Sequence, residues 1–135
     1  MGAGLMDEKL EQFLKLWKNK PFKWGKADCC QFAADAMLSL HGHPVLLPKY
    51  QTERAAIRAI QALGGYGPAM QNAGLKQRPS ALQAMRGDVV VVRHRAGGYF
   101  PDALAICTGD KAHTTGPHGL VDIHQRDWLS AWGVA

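Results

Sequence analysis

Asp28-Cys29-Cys30 is the stretch of this sequence in which residue type and position point most directly to chemistry. The tight segment Phe22-Lys23-Trp24-Gly25 leads into Asp28, and Cys29 then opens an apolar-periodic run that reads as a helix. A helix N-terminus carries partial positive charge and unpaired N–H groups, so a cysteine there is biased toward its thiolate, the form that attacks carbonyls. Asp28 is the expected N-cap, accepting a hydrogen bond from an N–H one turn on, and Trp24 is expected to support the site.

A thiolate that performs acyl chemistry needs a base within hydrogen-bonding reach and a third group to orient that base. His94 ends a β-branched run, Val89 to Val92. If that run pairs with Ala103 to Cys107 across the glycine-rich segment 95–101, His94 falls opposite Ala103 or its neighbour. His113, on a weaker strand, is the other candidate, and a site with no base at all stays open beside them. Asp102 is a further polar group near the cleft, although a carboxylate beside a thiolate opposes its ionisation. His41-Gly42-His43 has no second ligand cluster at metal-binding spacing, so neither a metal nor a cofactor is expected. His118 and His124 lie in polar, loop-like surroundings and read as solvated. Cys30 and Cys107 read as packing residues.

The elements that must hold these groups are readable in outline. From Asp7, the spacing of Leu10, Phe13, Leu14 and Trp17 predicts an amphipathic helix that Pro21 stops. A second helix spans Cys29 to Leu40, with Phe32, Ala33, Ala36, Met37 and Leu40 on its apolar stripe and Gly42 as its C-terminal cap. Val45 to Lys49, bounded by prolines, reads as an extended connector. Thr52 caps a third helix through Leu63, with Ile57, Ile60 and Leu63 facing the core. Residues 64–79 read as loop with one helical turn over Ala69 to Asn72. Arg86-Gly87-Asp88 is a turn into the Val89 strand; strands at Ala103 to Cys107, Ala112 to Thr115 and Leu120 to Ile123 follow, and Trp128 and Trp132 close the chain. Helices first and a strand meander afterwards predict an α+β domain, its helices packed on one antiparallel sheet. One domain is expected over 1–135: an N-terminal helix at 1–20, a helical half carrying the cysteine at 21–63, and a sheet half at 86–135.

The 135 residues are 47% hydrophobic and 20% charged, which excludes a disordered chain, and a net charge of +5 suits an acidic partner. Three cysteines, two of them adjacent, do not make a disulfide framework and point to folding in a reducing compartment. No apolar run is long enough to span a membrane, and the N-terminus lacks the pattern of a signal peptide; synthesis in the cytoplasm is expected.

In order and spacing, Phe22-Lys23-Trp24-Gly25, Asp28-Cys29-Cys30, Gly87-Asp88-Val89-Val90 and Ala103-Leu104-Ala105-Ile106-Cys107-Thr108-Gly109 resemble the NlpC-type cell-wall peptidases, a branch of the papain-like superfamily. The resemblance runs from Phe22 to the C-terminus. With the closing Ala131-Trp132, the compact length is similar to a small branch encoded among phage and prophage tail genes. It implies a papain-like fold, peptidoglycan as substrate, other phage tail proteins as partners and a place in the virion tail after synthesis in the host cytoplasm; nucleic acid is not among the implied partners. It also implies Cys29 as nucleophile. The family's histidine position, six residues before the strand's closing glycine, is occupied by Ala103, and its third polar position falls close to His113.

Three functions follow as expectations. The first is a tail-associated cysteine peptidase that opens peptidoglycan. The second is the same fold retained without catalysis as a tail-tip or tail-assembly protein. The third is a cytoplasmic thiol acyltransferase or deamidase.

Overall fold

The computed structural model describes residues 2–94 and 102–134. Among them are four α-helices, α1 (Gly2–Trp17), α2 (Cys29–His41), α3 (Glu53–Ala62) and α4 (Tyr66–Asn72). They precede β1 (Lys76–Gln77), β2 (Val89–Arg93), β3 (Asp102–Cys107), β4 (Ala112–Gly116), β5 (Gly119–Ile123) and β6 (Trp128–Gly133). The six strands form one sheet in the order β1-β6-β2-β3-β4-β5, with every neighbouring pair antiparallel. The expected α+β class, helices first and antiparallel sheet after, is what the chain adopts.

The two N-terminal helices meet through aromatics. Phe32 of α2 stacks 5.2 Å from both Phe13 and Trp17 of α1, measured between ring centroids. The Trp17 indole N–H, which burial would otherwise leave unpaired, donates to Asp35 at 2.7 Å. α2 ends as expected: Gly42 takes φ 65°, a left-handed conformation that a side chain would oppose, and its N–H returns to Leu38 O.

Strand alternation sorts the sheet residues onto two faces. Val89, Val91, Leu104, Ile106 and Trp132 share one, while Val90, Val92, Ala103, Ala105 and Cys107 share the other. Both are buried, which is why β2 and β3 are continuous apolar runs rather than alternating ones. A flat sheet would hold β5 and β6 roughly 19 Å apart. Instead Trp128 Nε1 donates to Ile123 O at 3.2 Å, so the end of β5 and the start of β6 are brought together.

Several expectations shift. α1 starts earlier than Asp7, and α4 is seven residues long where a single turn was expected. In α3 the buried residues are Ala56 and Ile60; Ile57 is half-buried and Leu63 is exposed, because that helix lies over the core along a narrow stripe. Sheet structure begins at Lys76 rather than at 86, and the Trp128 and Trp132 segment is an interior strand. The register pairs Val92 with Ala103 and Arg93 with Asp102, so His94 lies beyond the paired residues rather than across from Ala103. The glycine-rich hairpin segment, 95–101, lies outside the described residues. Asp88, at the head of β2, is buried and clamped by Arg78 through two hydrogen bonds of 2.8 and 3.0 Å. Among the described residues, no helix is long and apolar enough to cross a membrane.

Candidate functional site

Asp28 organises the start of α2. It is fully buried, and its carboxylate accepts from Gln31 N at 3.0 Å, Gly25 N at 2.7 Å and the Tyr50 hydroxyl at 3.0 Å. The first of these is the expected cap; the other two tie the Trp24-Gly25 turn and the end of the 43–50 connector to the same carboxylate. Gly25 has φ 81°, and a Cβ there would overlap the Tyr50 carbonyl, so glycine is required there by close backbone approach. Trp24 packs edge-on to Phe22 at 4.8 Å between centroids and forms part of the turn's outer wall.

Cys29 and Cys30 follow within this frame, and both are buried. Cys29 Sγ lies 3.6 Å from the Tyr66 hydroxyl at the start of α4. Its thiol pKa is lowered, first by a hydrogen bond from the Cys30 thiol, then by the Leu104 N–H and the Tyr66 hydroxyl; burial and the Asp28 charge oppose them. Cys30 is pushed well up by the same hydrogen bond to Cys29, by burial and by the charges of Cys29 and Asp28. Of the two thiols, Cys29 is therefore the easier to ionise. Tyr50 and Tyr66 are both raised, chiefly by burial, and so act as neutral hydroxyl donors.

The Leu104 contact has a structural origin. β4 pairs with β3 only at Ile106 and Cys107, leaving the Leu104 N–H and carbonyl on that edge without a strand partner. Thr114 Oγ1 donates to the Leu104 carbonyl at 2.7 Å, and the Leu104 N–H is among the groups that lower the Cys29 pKa.

The histidines lie elsewhere. His113 Nδ1 meets Asp122 Oδ1 at 2.9 Å, and its Nε2 meets Thr108 Oγ1 at 3.0 Å. His94 is half-buried, and burial lowers its pKa against the opposing charge of Asp127. His41 and His43 hydrogen-bond the carbonyls of Gly87 and Ala73. Among the described residues no histidine hydrogen-bonds Cys29. Ala103 is buried on the sheet face opposite Leu104. Thus the structure brings together Trp24, Asp28 and Cys29, and leaves His94 and His113 in other surroundings. Asp102 is half-buried at the start of β3, paired with Arg93. Sequence reasoning missed Tyr50 and Tyr66, whose roles depend on long-range convergence; buried tyrosines in the connector and at a glycine-flanked helix start were the available signal.

What this arrangement can do is hold a thiolate in a closed setting with phenol, thiol and backbone donors around it. It contains stabilisers of negative charge and, among the described residues, no histidine to accept a proton.

No curated protein and no solved structure is similar enough to the chain to count as a match. The model of one family, described as a domain of unknown function (DUF6950), matches residues 5–134. That span is nearly the whole sequence, and the chain belongs to the DUF6950 family.

Proposed function

We propose that this chain is a papain-like, NlpC-type domain that serves as a structural component of a phage tail tip or tail assembly, without hydrolytic use of its cysteine. One observation carries the second half of that reading: Cys29 Sγ sits buried against the Tyr66 hydroxyl at 3.6 Å, and among the described residues no histidine is bonded to it. The first half is supported by element order, a cysteine opening a helix ahead of an antiparallel sheet, and by the Trp-Gly, Asp-Cys and Gly-Asp motifs. A virion role rests on the resemblance alone. The test pairs two measurements on wild type and Cys29→Ala. Purified protein incubated with peptidoglycan should release no muropeptide peptides in either form, and tails assembled with either form should contain the protein equally. Release by wild type that Cys29→Ala abolishes would reverse the reading.

The lowered pKa of Cys29 favours a second reading, a cysteine peptidase acting on peptidoglycan, with His94 or His113 recruited as base when substrate binds. Under it, cleavage is lost in Cys29→Ala and in one of the two histidine variants.

A further inference from the structure

The turn 23–27 and the connector 43–50 meet over one buried carboxylate. Ala27 N returns to Lys23 O at 2.8 Å and closes the turn. Gly25 N and the Tyr50 hydroxyl then donate to Asp28 at 2.7 and 3.0 Å. Gly25 also packs so closely on the Tyr50 carbonyl that a Cβ would overlap it. Beyond this junction a groove of about 540 Å³ is lined by both segments.

The charges on the groove are all of one sign. Lys23 and Lys26 come from the turn and Lys49 from the connector, with Gln31 and Gln51 as uncharged polar neighbours. The three lysines are exposed, and among the described residues none has an ion-pair partner. No carboxylate among the described residues lines the groove. Asp28 is fully buried, and its oxygens are taken up by Gln31, Gly25 and Tyr50. Three mobile ammonium groups thus surround a base that buried hydrogen bonds hold in place.

We propose that this groove binds a short chain of linked phosphate groups among Lys23, Lys26 and Lys49. Its volume lies in the range of about 300–1,000 Å³ that small-molecule sites occupy. Three cations around one concavity attract a ligand that concentrates several negative charges in a short length. Lysine meets phosphate as a compact point charge, and no arginine on the lining supplies the planar fork that singles out a carboxylate. A nucleoside triphosphate and an inorganic polyphosphate share this chemistry. The proposal stands independently of any hydrolytic role for Cys29.

Tripolyphosphate is the probe, titrated calorimetrically into the full chain, with citrate and ATP beside it. Tripolyphosphate should bind, and citrate should bind roughly tenfold more weakly. Raising salt from about 0.1 to 1 M shortens the screening length from about 10 to 3 Å and should weaken tripolyphosphate at least tenfold. Lys23→Ala/Lys26→Ala/Lys49→Ala should weaken it roughly a hundredfold. Lys9→Ala/Lys18→Ala/Lys76→Ala removes the same charge from exposed positions off the groove and should change binding less than about threefold. Circular dichroism and thermal melting establish that both variants fold. ATP identifies the source: tighter binding than tripolyphosphate assigns a nucleotide, weaker binding a phosphate polymer, and either order supports the site. Absence of tripolyphosphate binding, citrate binding as tightly, or equal losses in the two triple variants would each overturn the proposal.

Discussion

Two clusters in this protein each hold half of what a thiol hydrolase needs, and each is closed on itself. At the start of α2, Cys29 has donors that favour its thiolate and the Tyr66 phenol beside it, but among the described residues no histidine bonded to it. On the outer strands, His113 has an orienting carboxylate in Asp122, but its other nitrogen is engaged by Thr108. The difference lies in solvent as much as in partners. Asp28 and the two cysteines are buried, so their interactions are strong and costly to break. The Asp122 side chain is 57% exposed, so its pairing with His113 is screened and weak. The environment that favours a thiolate at Cys29 needs no base to persist, because the Asp28 cap also holds the start of α2 in place.

The comparison can be broken most severely at Asp28. Asp28→Ala removes a buried carboxylate that satisfies two N–H groups and a tyrosine hydroxyl, and should lower stability by about 3–4 kcal/mol in urea unfolding. A loss below about 1 kcal/mol would mean that the carboxylate serves something other than the fold. Ala103→His puts an imidazole on β3, but into a buried position on the sheet face away from Leu104. It should cost about 1–3 kcal/mol through overpacking and confer no cleavage of peptidoglycan. Thiol-dependent cleavage in that variant would show that a missing base was the sole defect.

The state of Cys29 can be sharpened by thiolate ultraviolet absorbance. Wild type should show one thiol ionising below the ordinary cysteine value of 9.0, and Cys29→Ser should lose that component while the remaining thiols ionise above it. The sign for stability follows. A folded-state pKa below the unfolded one contributes stability that is full above 9.0 and is lost as pH falls through the lowered value. Asp122→Asn should have the smallest effect, within about 0.5–1 kcal/mol at neutral pH, since the carboxylate it replaces is solvent-exposed. A much larger loss would make the His113 cluster a structural anchor.

Legibility in the sequence followed range. The Asp28 cap, the α2 stripe, its Gly42 terminator and the Val89 strand depend on neighbours within a few residues, and all were readable. β1 was not, because two exposed residues carry no alternation to detect; it exists only because β6 lies beside it. His94 was misplaced relative to Ala103 because the register depends on the length and shape of segment 95–101, which composition does not encode. Tyr66 was read as loop, yet seven residues of helix form there and bring its hydroxyl to Cys29 across 37 positions of sequence. A local reading found the thiol; what the thiol touches was set by convergence.

Strand β6 lies between β1 and β2, although it is the last strand in chain order. During synthesis the helices and β2 to β5 can therefore associate while one edge of β2 still presents unpaired backbone groups. The sheet closes only after residue 133 has left the ribosome, and β1 has nothing to pair with until then. Until β6 has been made, the chain carries an open, valine-rich strand edge. Its yield in a cell is thus tied to whatever shields the edge of β2 until β6 arrives.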